Sequence, residues 1–356
     1  MNNVLKIMNA TISKFIKDWI KNIDVYVPGE TKEGYIKLAS NENNYGPSPK
    51  VVEILNEMAD STYRYPYKDA KVKQNIARYC KCDVENIIAG NGSDEIIGLV
   101  FKTFKSNSVG TFPTYPMYRI ISQIFNGEYN DTHLNPDFSF DVERFIEHEK
   151  FRQANLVFLC SPNNPTGGII GKDCIKKILD EGKITIVDEA YFEFYGETCS
   201  DLIKDYDNLI ILRTFSKAFA LAGLRAGYAI ADEEIIKLLL KVKPPFNVNL
   251  LAQEATLFAL SDIEYMKKNV AKIVSDRKIL MTKLSEKFRV FPSEASFILV
   301  DVSPMTANEF FNKLFKERII VRKLGKFGGL EGEYVRISVG TSGENKKLIE
   351  VLDRLN

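Results

Sequence analysis

At 356 residues the chain is long enough for roughly two domains, and 45% hydrophobic with 27% charged residues is ordinary globular composition. Forty-eight Lys+Arg against 47 Asp+Glu give a formal charge of +1, which argues against a nucleic-acid or anionic-membrane partner, because such binders carry a basic excess or patch. No apolar run approaches the ~18 residues of a membrane span, and the first thirty residues scatter Lys6, Lys14, Lys17, Asp18 and Lys21 without a signal-peptide pattern, so a cytoplasmic protein is expected. Cys80, Cys82, Cys160, Cys174 and Cys199 form no dense framework and fit reduced thiols. The Cys80-x-Cys82 pair lacks a second pair at metal-ligand spacing. His133 and His148 alone exclude a multi-histidine site, so no metal is expected.

In chain order, Ile12, Phe15, Ile16, Trp19, Ile20 and Ile23 form one apolar stripe that predicts a helix over 11–23, with Thr11 or Ser13 as its cap. Such a helix either packs on its own domain or forms an arm to a partner subunit. Val27-Pro28-Gly29 then opens a loop. From about 36 the chain alternates. Helices are predicted over 49–59, 69–80, 94–105, 115–126 and 172–181, and apolar strands over 86–89, 156–160, 184–187, 209–212 and 226–230. That alternation indicates α/β architecture, a mainly parallel sheet covered on both faces. Pro244-Pro245 marks a boundary. A long helical region over 249–288 follows, then strands at 289–291, 296–301, 318–322 and 333–338 and a last helix from about 343. The expected organisation is an arm (1–35) that joins the small domain or a partner subunit, a large domain (36–245), and a small α+β domain (246–356), with a cleft between the two domains.

In open α/β sheets, ligands lie beyond the carboxyl ends of the strands, so the residues that follow each strand are the candidates. Gly90-Asn91-Gly92-Ser93-Asp94-Glu95 follows 86–89 and precedes a helix. It reads as a plain turn capped by Ser93 or Asp94, or as an anion site at a helix N-terminus. The fuller dinucleotide pattern, with a third glycine and a later acidic residue, is absent. Ser161-Pro162-Asn163-Asn164-Pro165-Thr166-Gly167-Gly168 follows 156–160 and makes a rigid loop that can hold an amide at a strand tip. Asp188 ends the apolar strand 184–187, a costly place for a carboxylate unless a cation or donors meet it. Lys217, between Phe215 and Phe219, is set where desolvation lowers an amine pKa and makes it nucleophilic. An anion pocket, a buried Asp, a nearby Tyr191 and a desolvatable Lys at the ends of strands in one sheet are together the groups that pyridoxal phosphate requires.

At these residues the chain resembles the aspartate-aminotransferase superfamily of fold-type I enzymes, and within it the histidinol-phosphate aminotransferase subfamily. The resemblance runs nearly end to end. It includes Tyr26-Val27-Pro28-Gly29, Lys37 to Asn43, Arg64-Tyr65-Pro66, GNGSDEII (90–97), PTYPMY (113–118), SPNNPTGG (161–168), VDEAYFEF (187–194), RTFSKAF (213–219), LAGLRAGYAIA (221–231), PFNVN (245–249) and VRISVGT (335–341). It implies the fold-type I architecture, with a large three-layer domain beside a smaller α+β domain, and pyridoxal 5′-phosphate as cofactor. It implies that Lys217 is the Schiff-base lysine and proton shuttle, that Asp188 keeps the ring nitrogen protonated, and that Tyr191 and Asn164 bond the phenolic oxygen. Tyr115 matches the aromatic stacked on the ring. Ser93, Asp94, Ser216 and Arg225 match the phosphate cup, and Arg225 would supply a planar fork to phosphate oxygens. Tyr65 matches the tyrosine that reaches the phosphate from the partner, which implies a homodimer with shared active sites. Arg336 matches the arginine for the acidic end of the substrate, and Arg322 and Tyr26 match positions that grip a substrate phosphate.

Three features depart from the family pattern: Asn44 stands where Pro is usual, Ala220 stands where Gly is frequent, and the glycine-rich stretch 326–332 is slightly longer. The subfamily motifs imply transfer between L-histidinol phosphate and 2-oxoglutarate, giving imidazole-acetol phosphate and glutamate. An aromatic aminotransferase or a threonine-phosphate decarboxylase on the same scaffold are the alternatives. A cofactor-bound transcriptional regulator would need a DNA-binding module, for which the residues before Tyr26 are too few.

Overall fold

The computed structural model describes Ile12 and residues 14–354. Two sheets organise it. The strands in chain order are β1 (Ile36–Leu38), β2 (Ile87–Gly90), β3 (Asn107–Phe112), β4 (Glu128–His133), β5 (Leu156–Cys160), β6 (Ile184–Asp188), β7 (Leu209–Thr214), β8 (Gly227–Ala231), β9 (Arg289–Val290), β10 (Phe297–Asp301), β11 (Ile319–Gly325) and β12 (Tyr334–Ser338). The first sheet runs β2-β8-β7-β6-β5-β3-β4. All of its pairs are parallel except the two that β8 makes with β2 and β7. Strands β5, β7 and β8 are buried along their whole length. Helices on both faces leave no solvent side, so these strands read as continuous apolar runs rather than alternations. Parallel order brings the carboxyl ends of β5, β6 and β7 to one edge, in the register Cys160↔Asp188↔Leu212.

Two strands of this sheet carry no apolar run. Strand β4, Glu-Tyr-Asn-Asp-Thr-His, lies at the sheet edge with only Tyr129 and Thr132 buried. Strand β3 hides polar Ser108, whose hydroxyl donates to the Glu128 carbonyl at 2.8 Å.

The helices Pro49–Met58, Asp69–Cys80, Ser93–Thr103, Met117–Ile124 and Lys172–Leu179 fall where the apolar periodicity predicts them. The region 249–288 is two helices, Leu250–Leu260 and Ile263–Ser285, interrupted at Asp262 (φ −132°, ψ 48°). Leu250–Leu260 is apolar almost all round and packs on Pro49–Met58 and Asp69–Cys80, so Pro244-Pro245 does not separate it from the first unit.

The second sheet runs β1-β11-β12-β10-β9. Here β1 corrects the expected boundary at residue 36. Ile36, Lys37 and Leu38 pair in parallel with Ile319, Ile320 and Val321, so the strand belongs to the second sheet. Three residues are too few for a periodicity to be read. The consequence is functional: residues 39–43 leave β1 and run directly between the two sheets.

The helix predicted over 11–23 is also corrected. Among the described residues Ile12 is helical, 14–15 form a turn, Ile16 a bend, and Asp18–Asn22 a 3₁₀ turn preceded by extended Lys17; Thr11 and Ser13 lie outside the described residues. Phe15 is 85% exposed, and Ile12 and Ile20 are exposed as well. Trp19 touches the chain's own fold, its indole N–H donating to the Ile124 carbonyl at 3.3 Å. Only Ile16, Trp19 and Ile23 of the stripe are half-buried on the chain's own fold, too little apolar packing to stabilise a short helix.

One glycine sits directly under the site. A Cβ on Gly227, the first residue of β8, would lie 2.6 Å from the Ser93 amide nitrogen and 2.7 Å from the Gly92 carbonyl carbon, both backbone atoms that cannot swing away. Gly227→Ala is therefore expected to destabilise the fold by about 1–3 kcal/mol, as overpacking does. It should also displace the start of the helix Ser93–Thr103, read as lowered urea resistance together with weakened phosphate binding.

Candidate active site

A cavity of about 190 Å³ opens at the carboxyl ends of β5, β6 and β7 and is closed from the other side by β11, β12 and the segment after β1. Twelve of the thirteen residues singled out from the sequence line it: Tyr26, Ser93, Asp94, Tyr115, Asn164, Asp188, Tyr191, Ser216, Lys217, Arg225, Arg322 and Arg336. Tyr65 does not. It is 74% exposed and stacks on Phe246 with ring centroids 4.7 Å apart.

Asp188 is the last residue of β6 and is 3% exposed. Its Oδ2 accepts from the Tyr118 hydroxyl at 2.6 Å and its Oδ1 from the Ala190 N–H at 3.0 Å. Burial pushes its pKa up to about 6, with the two donors pulling the other way. The described residues give it no ion pair, and a buried carboxylate without a cation is expensive. The cavity therefore presents a carboxylate that a positively charged ring nitrogen would satisfy. Tyr118 belongs to the PTYPMY motif, and the sequence alone gives it no role. Its position three residues after Tyr115, the two rings meeting edge to face at 5.5 Å, is the signal that places it beside the cavity.

Lys217 follows β7. Its Nζ donates to the Ser40 carbonyl at 3.3 Å and lies 5.7 Å from the Tyr191 ring. Burial, and then the nearby Arg336 guanidinium, lower its pKa to about 8. Phe215 and Phe219 pack on each other at 5.0 Å and belong to the core.

The turn after β2 is not the one capped by Ser93 or Asp94. Gly92, at φ +80°, holds the N-cap position, and no side chain caps the helix Ser93–Thr103. Its first N–H groups are thus free of a side-chain acceptor, an arrangement suited to phosphate. Arg225 sits in the left-handed region at φ 56° and donates to the Ser216 hydroxyl and to Asp94, both at 3.4 Å. Asp94 also accepts from the Tyr115 hydroxyl at 3.0 Å. Gly92 is favoured by its φ of +80°, which strains any L side chain, while a Cβ there would meet only the movable end of Arg225, at 2.6 Å.

The opposite wall is cationic. Arg336, on β12, donates to the Asn164 side-chain oxygen and, at 2.9 Å, to the Ala39 carbonyl. Its Nε is buried without a partner. Arg322, on β11, donates to the Val27 carbonyl at 3.0 Å, with the Tyr26 ring 6.0 Å from its guanidinium. Tyr191 accepts from the Asn41 amide at 2.9 Å. Behind the site, Glu189 and Arg213 form a buried ion pair at 2.9 Å that ties the ends of β6 and β7 together.

The departures have local explanations. Asn44 donates to both oxygens of Glu344, at 3.1 and 3.0 Å, and so ties the segment after β1 to the last helix. Ala220 takes φ 58°, the left-handed conformation that favours glycine. The stretch 326–332 does not line the cavity. Its Phe327 stacks on Tyr334 at 4.7 Å in a separate aromatic cluster with Phe138 and Phe291.

The family model for aminotransferases of class I and II matches residues 33–353. The chain belongs to this family. This aminotransferase is 35% identical to a histidinol-phosphate aminotransferase of Methanocaldococcus jannaschii, over 97% of its own length and 98% of that protein. Its fold is similar to the crystal structure of the histidinol-phosphate aminotransferase of Clostridium acetobutylicum, with a TM-score of 0.82 at 28% identity over 89% of this chain and 98% of that one. The corresponding Sinorhizobium meliloti enzyme, solved in complex with pyridoxal-5′-phosphate, shares the fold with a TM-score of 0.86 at 24% identity, over 96% and 98% of the two chains. Among the described residues of this aminotransferase, no helix is long and apolar enough to cross a membrane.

Proposed function

We propose that this aminotransferase uses pyridoxal 5′-phosphate to exchange the amino group of L-histidinol phosphate with 2-oxoglutarate, as a cytoplasmic homodimer. The observation that carries the substrate is the pair of arginines on one wall, Arg322 at the rim and Arg336 with a buried, unpartnered Nε, facing an amine across the cavity. Two guanidiniums suit a substrate that ends in phosphate, and Arg336 can serve the second carboxylate of the oxo acid in turn. The near full-length likeness to histidinol-phosphate aminotransferases supports the same substrate.

When bound, the cofactor supplies a carbonyl carbon with which amines condense and a ring that withdraws electrons from it. The helix start at Ser93 and Asp94, with Ser216 and Arg225, would hold its phosphate. Asp188 would face the ring nitrogen and keep a proton on it, Tyr115 would lie on the ring face, and Asn164 and Tyr191 would bond the phenolic oxygen. Lys217 would hold the cofactor covalently between turnovers. Burial lowers the pKa of its free amine to about 8, so once released the amine would be able to accept a proton at the substrate Cα and give one up at the cofactor's C4′. We assign the seven-stranded sheet and its helices to the large unit and the five-stranded sheet, including β1, to the small one.

Arg322→Ala tests the substrate. Loss of a charged hydrogen bond worth roughly 1.5–3 kcal/mol should lower kcat/KM for histidinol phosphate about 10- to 100-fold. The reaction with glutamate should fall less. Equal losses for both would contradict the assignment. The dimer is supported by the exposed Tyr65–Phe246 stack, an apolar patch beside a motif that the family uses across its subunit interface. Tyr65→Phe should leave the fold intact and weaken cofactor retention by about one charged hydrogen bond, measured as faster loss of the visible absorbance on dialysis.

A further inference from the structure

Asn41 is held unusually tightly for a loop residue. It follows β1 at φ 55° and is 2% exposed. Its backbone N–H donates to the Ser338 hydroxyl at 2.9 Å, and its side-chain oxygen accepts from that same hydroxyl at 2.9 Å. Its side-chain amide nitrogen donates to the Tyr191 hydroxyl at 2.9 Å.

The direction of these bonds follows from counting protons. The Ser338 oxygen already accepts the Asn41 N–H, so its single proton must go to an acceptor, which is the Asn41 side-chain oxygen. A flipped amide would leave that buried proton without a partner. The NH₂ group therefore faces Tyr191, and Tyr191 is an acceptor toward Asn41. The phenol has one proton left, and it is directed away from Asn41. The Tyr191 ring itself is fixed edge-on against Phe297 at 5.1 Å, which leaves the hydroxyl torsion as the freedom that Asn41 removes.

We propose that Asn41, clamped by Ser338, is a positioning residue that makes the Tyr191 hydroxyl a donor into the cofactor cavity. The inference rests on the reading of Tyr191 as a partner of the cofactor's phenolic oxygen. Strand β12 takes part twice. Arg336 and Ser338 lie two residues apart on one face of it; Arg336 grips the Ala39 carbonyl and Ser338 grips Asn41. The strand that carries the substrate arginine thus also sets the donor at the cofactor.

The test is a pH titration of the visible absorbance of the holoenzyme without substrate, in a double-mutant cycle of Asn41→Asp and Tyr191→Phe. Asp tolerates the left-handed backbone, and its carboxylate would accept the Tyr191 proton instead of donating to the phenol. A donor to the phenolic oxygen favours its ionised form, so Asn41→Asp should move the titration midpoint upward by about one unit, a tenfold change in proton affinity. In the Tyr191→Phe background it should add nothing. An unmoved midpoint, or an equal shift in both backgrounds from the new charge acting through space, overturns the proposal. A midpoint that Tyr191→Phe itself leaves unmoved overturns the reading of Tyr191 along with it. Ser338→Ala provides the neutral counterpart should Asn41→Asp not fold. It frees the amide to flip and should give a smaller upward shift that also vanishes in the Tyr191→Phe background.

Discussion

Lys217→Ala is expected to fold, to bind the cofactor weakly, and to lose turnover completely within the limits of a steady-state assay. The three roles proposed for this amine would disappear with it: the covalent hold on the cofactor, the acceptor of the Cα proton and the donor to C4′. Proton transfer by a positioned side chain alone contributes typically 10²–10⁴-fold, and no neighbour can substitute. Arg336 is a guanidinium engaged with Asn164 and Ala39, and the Tyr191 hydroxyl, its pKa raised by burial, is held by Asn41. Fold integrity is expected because the Lys217 amine makes a single 3.3 Å bond, to the Ser40 carbonyl, and its burial opposes its charge. With a folded pKa of about 8 against an ordinary value of 10.5, the lysine lowers stability as pH falls from about 10.5 to 8, and the full penalty stands at neutral pH. The alanine variant should therefore melt no lower than the wild-type apoprotein at pH 7. Turnover at the wild-type rate would refute the assignment.

Asp188→Asn is expected to lower kcat by several orders of magnitude while making the apoprotein more stable. In the working enzyme the carboxylate would keep a proton on the ring nitrogen, and a neutral amide would not. In the apoprotein the same carboxylate is a liability. Its folded pKa is raised to about 6 from an ordinary 3.8. Its contribution to stability is then fully present below about pH 3.8 and is lost as pH rises to 6. Above pH 6 the penalty approaches about 3 kcal/mol, at roughly 1.4 kcal/mol per unit. An asparagine carries no charge; its oxygen can keep the Ala190 N–H, and its NH₂ can donate to the Tyr118 oxygen once that hydroxyl turns its own proton away. Urea unfolding of the two apoproteins should show the variant more stable at pH 8 and equal to the wild type below pH 4. A variant that is less stable at pH 8 would contradict this account of the site.

Much of this was legible in the sequence because the chemistry sits at the ends of the most apolar strands. Strands β5, β6, β7 and β8 announce themselves as apolar runs since both of their faces are covered; Asp188 ends β6, and Asn164 and Lys217 follow β5 and β7. What was not legible is non-local or polar. Strand β4 is an edge strand of mostly polar residues. Strand β1 is three residues long and is defined only by its pairing with Ile319–Val321. Asn41 gains its place from a left-handed backbone and from a serine 297 positions away, a relation that no window of sequence records. Tyr118 is an ordinary apolar-face helix residue until its hydroxyl is found on Asp188. The apolar stripe before Val27 misled because periodicity reports a face that could be buried, not whether the chain itself provides a surface to bury it.

The measurement that tests the central claim most directly is a half-reaction on the purified holoenzyme. L-histidinol phosphate, glutamate and phenylalanine are each mixed with it separately, and the loss of the yellow cofactor absorbance is followed. The two arginines and the amine facing them predict rapid conversion by histidinol phosphate and by glutamate. Phenylalanine should be slower by roughly tenfold or more, about 1.4 kcal/mol of discrimination or greater. Fast conversion by phenylalanine with none by histidinol phosphate would contradict the substrate assignment and leave an aromatic aminotransferase on this scaffold.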